Sequence, residues 1–213
     1  FGDGLHKEIV SRCEPLFRFL VDTNALTMDD LRFVWEKSLE TTDEELAVAI
    51  KNVLASVAKY VSAQLLIPFL QMVQKTGETK YDAALSFAKQ LAMRNNFSNS
   101  NVRVLLQKGI ETTRALLDFL WSLLHNPASY ASGADKDILA LLEQALREQR
   151  GKKFRDAYAA QCIRNIQTAL EPPKNSSSDN KNSRLLRVFT IMRRLVLGYT
   201  TGEPLLKLWN GRG

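Results

Sequence analysis

The helical spacing of the apolar residues constrains the fold of this chain more than any other feature of its sequence. Large apolar side chains recur three and four positions apart along most of the chain, as in Leu31, Val34 and Trp35. This spacing places them on one face of an α-helix. No run shows the period-two alternation of a strand, and 213 residues contain only 10 Gly and 6 Pro. Because β-rich folds need many turn residues, the sequence predicts an all-α fold.

The pattern predicts about nine helices joined by short connections. A first helix is expected from Leu5 to Val21, kinked or split by Pro15, because proline removes a backbone donor. Thr27 is a predicted N-cap, and Thr42 with Glu45 fits a capping box. The apolar stripe predicted for the first helix comprises Ile9, Val10, Cys13, Leu16, Phe17 and Leu20.

Several segments are apolar on more than one side, which favours stacked helices over a single amphipathic layer. Leu116–Trp121 contains five apolar residues in six. A helix covered by neighbours on two sides has this composition. We therefore predict an α-solenoid of armadillo- or HEAT-like stacked antiparallel helix pairs, with an irregular helical bundle as the alternative. Trp35 and Trp121 are predicted core residues, and Gly109 is expected to break the segment 102–125 into two helices.

We expect residues 1–213 to form one helical-repeat segment. The stretch 174–183 contains no apolar residue, so a mobile polar loop is predicted at 172–183. The chain starts at Phe1 rather than at a methionine, and we expect it to be a fragment of a larger protein.

Residues capable of catalysis or metal binding are scarce. The chain has two Cys and two His, and it contains no Walker, G-x-G-x-x-G, H-E-x-x-H or G-x-S-x-G motif. Cys13 and Cys162 lie on apolar stripes, and His125 lies at a predicted helix C-terminus. We predict no catalytic, metal-binding or cofactor-binding residue and no cofactor. Without a signal peptide or membrane span, a cytoplasmic location is predicted, with the nucleus as an alternative.

The charge is concentrated in the C-terminal third. Residues 1–146 contain 15 Lys and Arg against 18 Asp and Glu, a net −3, whereas residues 147–213 contain 14 against 5, a net +9. Three interpretations remain open: a solvated surface, contacts to an acidic protein partner, or a nucleic-acid scaffold, of which the last is the least favoured. The predicted acidic-partner contacts are Arg147, Arg150, Lys152, Lys153, Arg155, Arg184 and Arg187.

Two tryptophan-containing helices carry a family resemblance. The stretch Leu31-Arg32-Phe33-Val34-Trp35-Glu36-Lys37, followed by Ile50–Ala58, resembles the helical-repeat region of the large ubiquitin-specific proteases of the fat-facets type. Ala115–His125, with its leucine run, tryptophan and terminal histidine, is similar to a later helix of that region. The segment starting at Gln149 resembles the next repeat more loosely.

The resemblance implies a non-catalytic scaffold segment of a deubiquitinating enzyme. In such proteases a separate thiol-protease domain cleaves ubiquitin from substrates, and Cys13 lacks the context of that domain's cysteine. No catalytic residue is therefore carried over. The implied partners are other proteins, substrates or adaptors of the ubiquitin pathway, with no membrane contact. The sequence does not indicate the oligomeric state of the protein.

Overall fold

The computed structural model describes residues 7–92, 101–126, 135–147, 151–170, 186 and 188–194. These residues form ten helices and a further helical stretch at 188–194, and they contain no β-strand, which confirms the all-α prediction. The helices are α1 (Lys7–Ser11), α2 (Glu14–Asp22), α3 (Met28–Glu40), α4 (Glu44–Ala58), α5 (Ala63–Thr76), α6 (Tyr81–Ala92), α7 (Asn101–Lys108), α8 (Ile110–His125), α9 (Asp135–Arg147) and α10 (Lys152–Leu170).

Side-chain caps fix where α3 and α4 begin. The backbone N–H of Asp30 donates to Thr27 Oγ1 at 3.2 Å, and the Asp30 carboxylate accepts from the Thr27 N–H at 2.9 Å. This is a complete capping box, and it confirms Thr27 as the N-cap. The box predicted from Thr42 is wrong, because Asp43 accepts from the N–H groups of Glu45 and Leu46 and caps α4 instead.

Two predicted helix breaks are confirmed. The segment predicted from Leu5 to Val21 divides into α1 and α2, with Pro15 in the first turn of α2, where its missing N–H leaves no helical bond unmade. Gly109 separates α7 from α8. Its carbonyl accepts from the Thr113 hydroxyl at 2.7 Å, which secures the first turn of α8.

The chain divides into two compact units, Phe1–Arg150 and Gly151–Gly213. In the first unit, helices pack against neighbours that are distant in sequence as well as adjacent ones: α4 packs on α1, α2, α3, α6 and α7, while α8 packs on α5, α6, α7 and α9. Helices covered on several sides explain why α4 and α8 are apolar around most of their circumference.

A cluster of four aromatic rings from four helices lies in the core of the first unit. Phe87 of α6 lies at its centre, with ring centroids 5.8 Å from Trp35, 5.6 Å from Phe69 and 6.2 Å from Phe119. Trp35 Nε1 donates to Thr76 Oγ1 at 3.3 Å, so its polar atom is satisfied inside the core. Trp121, in contrast, is only partly buried, against the prediction that it is a core residue.

The second unit is described through α10 and residues 186 and 188–194. Tyr158 and Cys162 are buried in α10, and Val188 and Ile191 are buried in the second helical stretch. The predicted mobile loop at 172–183 lies outside the described residues. The interpretation of residues 1–213 as a single repeat segment stays a prediction.

Candidate protein-interaction surface

The basic residues predicted to contact an acidic partner are only partly described. Arg147 is exposed at the end of α9, where it pairs with Glu143 one turn earlier. Lys153 is exposed in the first turn of α10, and Arg155 is half-buried with Nε 3.7 Å from Asp156 Oδ1. These surface pairs with acids on the same helix contribute little to stability.

The predicted contacts are divided between the two compact units, and most of their side chains lie outside the described residues. Arg147 belongs to the first compact unit, and Lys153 and Arg155 belong to the second. Lys152 begins α10, and its side chain lies outside the description. Three more of the predicted contacts lie outside the described residues: Arg150, Arg184 and Arg187. A joint acidic-partner site at these seven residues therefore stays a prediction.

Exposed apolar side chains form a second kind of candidate surface, which the sequence did not reveal. In α2, Leu16 is 58% exposed and Phe19 is 61% exposed, while Phe17 is the buried residue of this nine-residue helix. Ile9 of α1 is exposed as well. The predicted inward stripe is therefore wrong at Ile9 and Leu16, because helical periodicity groups residues on a face but does not tell which face a neighbour covers.

A group of charged residues around Tyr60 joins α2 to the end of α4. Arg18 Cζ lies 5.0 Å and Lys59 Nζ 4.7 Å from the centroid of the Tyr60 ring. Lys59 Nζ also donates to Glu14 Oε1 at 3.0 Å. These cation–π and ionic contacts connect α2 to the residues that follow α4.

The second unit exposes apolar and basic side chains together. Leu186 is 71% exposed and Phe189 is 49% exposed, and both belong to a helical stretch that also exposes Arg193 and Arg194. This combination of exposed apolar and basic side chains makes the stretch a candidate protein-binding surface.

In the first unit one lysine is buried and another is half-buried. Lys51 of α4 is 6% exposed, and Lys108 Nζ donates to the Val61 carbonyl at 2.7 Å, which ties the end of α7 to the α4–α5 connection. Burial lowers the pKa of both ammonium groups below the ordinary lysine value. Among the described residues no ion pair or hydrogen bond of the Lys51 ammonium is present.

The cysteines and His125 show no arrangement for chemistry. Cys162 is fully buried, and burial raises the pKa of its thiol to about 11, which makes it a poor nucleophile. Cys13 is partly exposed, and its Sγ donates to the Ile9 carbonyl at 3.3 Å. His125 Nδ1 lies 3.0 Å from the Trp121 carbonyl at the end of α8, the helix-terminal position that was predicted for it.

Within the described ranges, no group of three or more His, Cys, Asp or Glu could hold a metal ion. In that same part of the chain, no helix combines the length and the apolar character needed to cross a membrane.

Comparison with known families gives one match. The family described as the UBP24/USP9X/USP9Y ARM repeat matches residues 1–172, which includes all of the first compact unit and all of α10. Together with the all-helical structure, this match supports the predicted α-solenoid. No curated protein and no solved structure matches the chain significantly.

Proposed function

This chain belongs to the UBP24/USP9X/USP9Y ARM repeat family, and from that premise we propose that it is the part of a USP9X-type deubiquitinating enzyme that binds other proteins rather than the part that cleaves ubiquitin. The family membership carries the proposal. It confirms the resemblance to the repeat region of fat-facets-type ubiquitin-specific proteases that residues 31–37 and 115–125 predicted.

The composition of the surface supports a recognition role. Stacked helical repeats present an extended surface on a rigid core, and such surfaces bind proteins and peptides. Leu16 and Phe19 in the first unit and Leu186 and Phe189 in the second are large apolar side chains that remain exposed. Side chains of this kind supply the anchors of protein interfaces, with aromatic residues contributing most.

In this proposal the ubiquitin-cleaving thiol protease lies in another domain of the parent enzyme. The helical-repeat segment holds substrates or adaptors of the ubiquitin pathway near that domain. Its contribution is to raise the local concentration of the bound protein at the active site, a gain that needs no chemical group in the segment itself.

Proximity labelling of the parent enzyme in cells tests the proposal. We compare the intact enzyme with a variant that lacks the segment corresponding to residues 1–172, each fused to the same labelling enzyme. The proposal predicts that a defined subset of labelled neighbours is lost and that the remainder is unchanged. An identical set of neighbours with and without the segment would contradict it.

A further inference from the structure

The helical stretch that includes Leu186 and residues 188–194 has two different faces. Val188 and Ile191 are buried at 9% and 1% exposure, so one face is packed inside the protein. On the other face Leu186 and Phe189 are exposed, although each is as large and apolar as a core residue. The Thr190 hydroxyl donates to the Leu186 carbonyl at 2.8 Å, which fixes the helical register between these positions.

The exposed face has the spacing of a helix-recognition surface. Leu186, Phe189, Thr190 and Arg193 stand at positions i, i+3, i+4 and i+7, and all four are exposed. We name these four residues the 186–193 stripe. Positions with this spacing lie in one line along about two turns of helix, the arrangement by which one helix packs its side chains against another.

The charged residues in the stretch of sequence that contains the stripe are of a single sign. The sequence from Asn180 to Gly202 contains five Lys and Arg and no Asp or Glu. Of these cations, Arg193 is part of the stripe and Arg194 is exposed beside it. A partner that covers Leu186 and Phe189 therefore brings its own charged rim against arginine, and carboxylates on that rim are favoured while lysines are opposed.

From this combination we infer that the 186–193 stripe binds an acidic amphipathic helix of a partner protein, whose apolar side chains cover Leu186 and Phe189 and whose carboxylates meet Arg193 and Arg194. The inference rests on the proposed function and specifies the chemistry of one partner. The predicted contacts Arg184 and Arg187 belong to the same basic run of sequence.

A protein partner fits the stripe better than the two other anionic classes do. Nucleic-acid affinity comes from phosphate contacts and gains nothing from covering a leucine side chain. A helix that lies on a membrane inserts a broad apolar face into the lipid, whereas here Val188 and Ile191, the other apolar side of the stretch, are packed in the protein. Two apolar side chains in line with an arginine can pack between the side chains of a partner helix.

Fluorescence anisotropy with a designed probe tests the inference. The probe is a fluorescein-labelled amphipathic helical peptide with Leu and Phe on one face and Glu along both edges. Two matched peptides carry Gln in place of every Glu, or Ala in place of every Leu and Phe. The inference predicts saturable binding of the acidic probe to the full chain and at least tenfold weaker binding of either matched peptide.

Substitutions in the chain locate the site. Phe189→Ser and Leu186→Ser remove exposed side chains, and Arg193→Glu reverses an exposed charge, so circular dichroism is expected to be unchanged in all three. Each should weaken binding of the acidic probe about tenfold. Matched controls at exposed positions of the first unit, Phe33→Ser and Arg114→Glu, should leave binding within twofold of the unaltered chain.

The remaining outcomes overturn the inference. Equal binding of the Gln peptide would show that charge complementarity is absent, and equal binding to Phe189→Ser or Leu186→Ser would place the probe elsewhere. If no peptide binds, or if duplex DNA or phosphatidylserine vesicles bind in a manner sensitive to Phe189→Ser, the partner class is wrong. None of these results would contradict the proposed function. That proposal is tested by deleting residues 1–172, a segment that does not include the 186–193 stripe.

Discussion

Among individual residues, Trp35 contributes most visibly to the stability of the first unit. It is 1% exposed, its ring meets Phe87, and its Nε1 donates to Thr76 across 41 residues of sequence. Trp35→Ala is expected to lower the free energy of unfolding by about 3–5 kcal/mol, since it leaves a large cavity and removes the hydrogen bond that Trp35 Nε1 donates to Thr76 Oγ1. Urea titration measures this loss. Trp121→Ala, at a partly exposed position, is the control and should cost clearly less.

The two thiols should differ in reactivity. Cys162 is 0% exposed, and burial raises the pKa of its thiol to about 11, so at pH 8 only about one thiol in a thousand is ionised. Cys13 is partly exposed. Iodoacetamide at pH 8, followed by peptide mass spectrometry, is expected to modify Cys13 at least a hundredfold faster than Cys162. Comparable rates in the folded chain would contradict the buried position of Cys162.

Burial of Lys51 should make the free energy of unfolding depend on pH. Burial lowers its pKa from the ordinary 10.5, so the folded chain disfavours the charged form, and Lys51→Met should raise the free energy of unfolding by about 1 kcal/mol near pH 7. Between the lowered pKa and 10.5 the unfolded chain binds more protons, so the unaltered protein gains stability as the pH rises. The advantage of Lys51→Met should therefore shrink as the pH rises from the lowered pKa towards 10.5.

Thermal unfolding as a function of pH measures this effect. Lys153→Met, at an exposed position of α10, serves as the control and should change the melting temperature little at any pH. A loss of stability in Lys51→Met at neutral pH would show that the ammonium group makes a favourable contact instead of an unfavourable burial.

At the scale of the helix, the cap of α3 links one contact to a pH-dependent stability. Thr27→Ala removes the hydroxyl that accepts from the Asp30 N–H, and it should cost about 1 kcal/mol at neutral pH. Hydrogen bonds from the Thr27 side chain and backbone also hold the pKa of Asp30 below its ordinary value. That contribution is present above the unfolded-state pKa and is lost as the pH falls through the lower folded-state pKa.

The difference between Thr27→Ala and the unaltered chain should consequently be smaller at about pH 3 than at pH 7, as measured by chemical denaturation. Thr42→Ala is the matched control, because Asp43 rather than Thr42 caps α4. A constant cost of Thr27→Ala across this range would mean that Asp30 takes no part in the cap.

The presence of helices and the positions of their breaks could be predicted from the sequence, whereas the exposure of individual side chains could not. Thr27, Pro15 and Gly109 act through local backbone chemistry, and the structure has caps or breaks where they predict them. Leu16 and Trp121 were predicted inward because they fit an apolar stripe, yet both remain exposed or partly exposed. Whether a stripe is covered depends on which distant helix packs on it, and a single sequence does not record that.

The same reason explains what was missed in the candidate site. The basic residues of the C-terminal third were visible as a charge excess, but Phe189 was not recognised as an exposed anchor. In the sequence it stands between Val188 and Ile191 and is no less apolar than either. Only the structure shows that its neighbours are packed while Phe189 is exposed.

At the scale of the whole molecule, the proposed function places recognition and catalysis in different parts of the parent enzyme. The chain belongs to a repeat family of ubiquitin-specific proteases, and its exposed features are apolar and charged surfaces on a helical core. In the proposed function, this segment alters which proteins reach the active site of the parent enzyme and does not alter the chemistry there. Its removal should therefore affect substrates of different size in different ways.

The most direct test compares kcat/KM of the parent enzyme with and without the segment corresponding to residues 1–172, on two substrates. One is a small fluorogenic ubiquitin derivative, and the other is a ubiquitinated protein that the segment recruits. The account predicts that turnover of the small substrate stays within about twofold, while turnover of the recruited protein falls at least tenfold. Hydrolysis of the small substrate by the isolated chain, or an equal loss on both substrates, would contradict it.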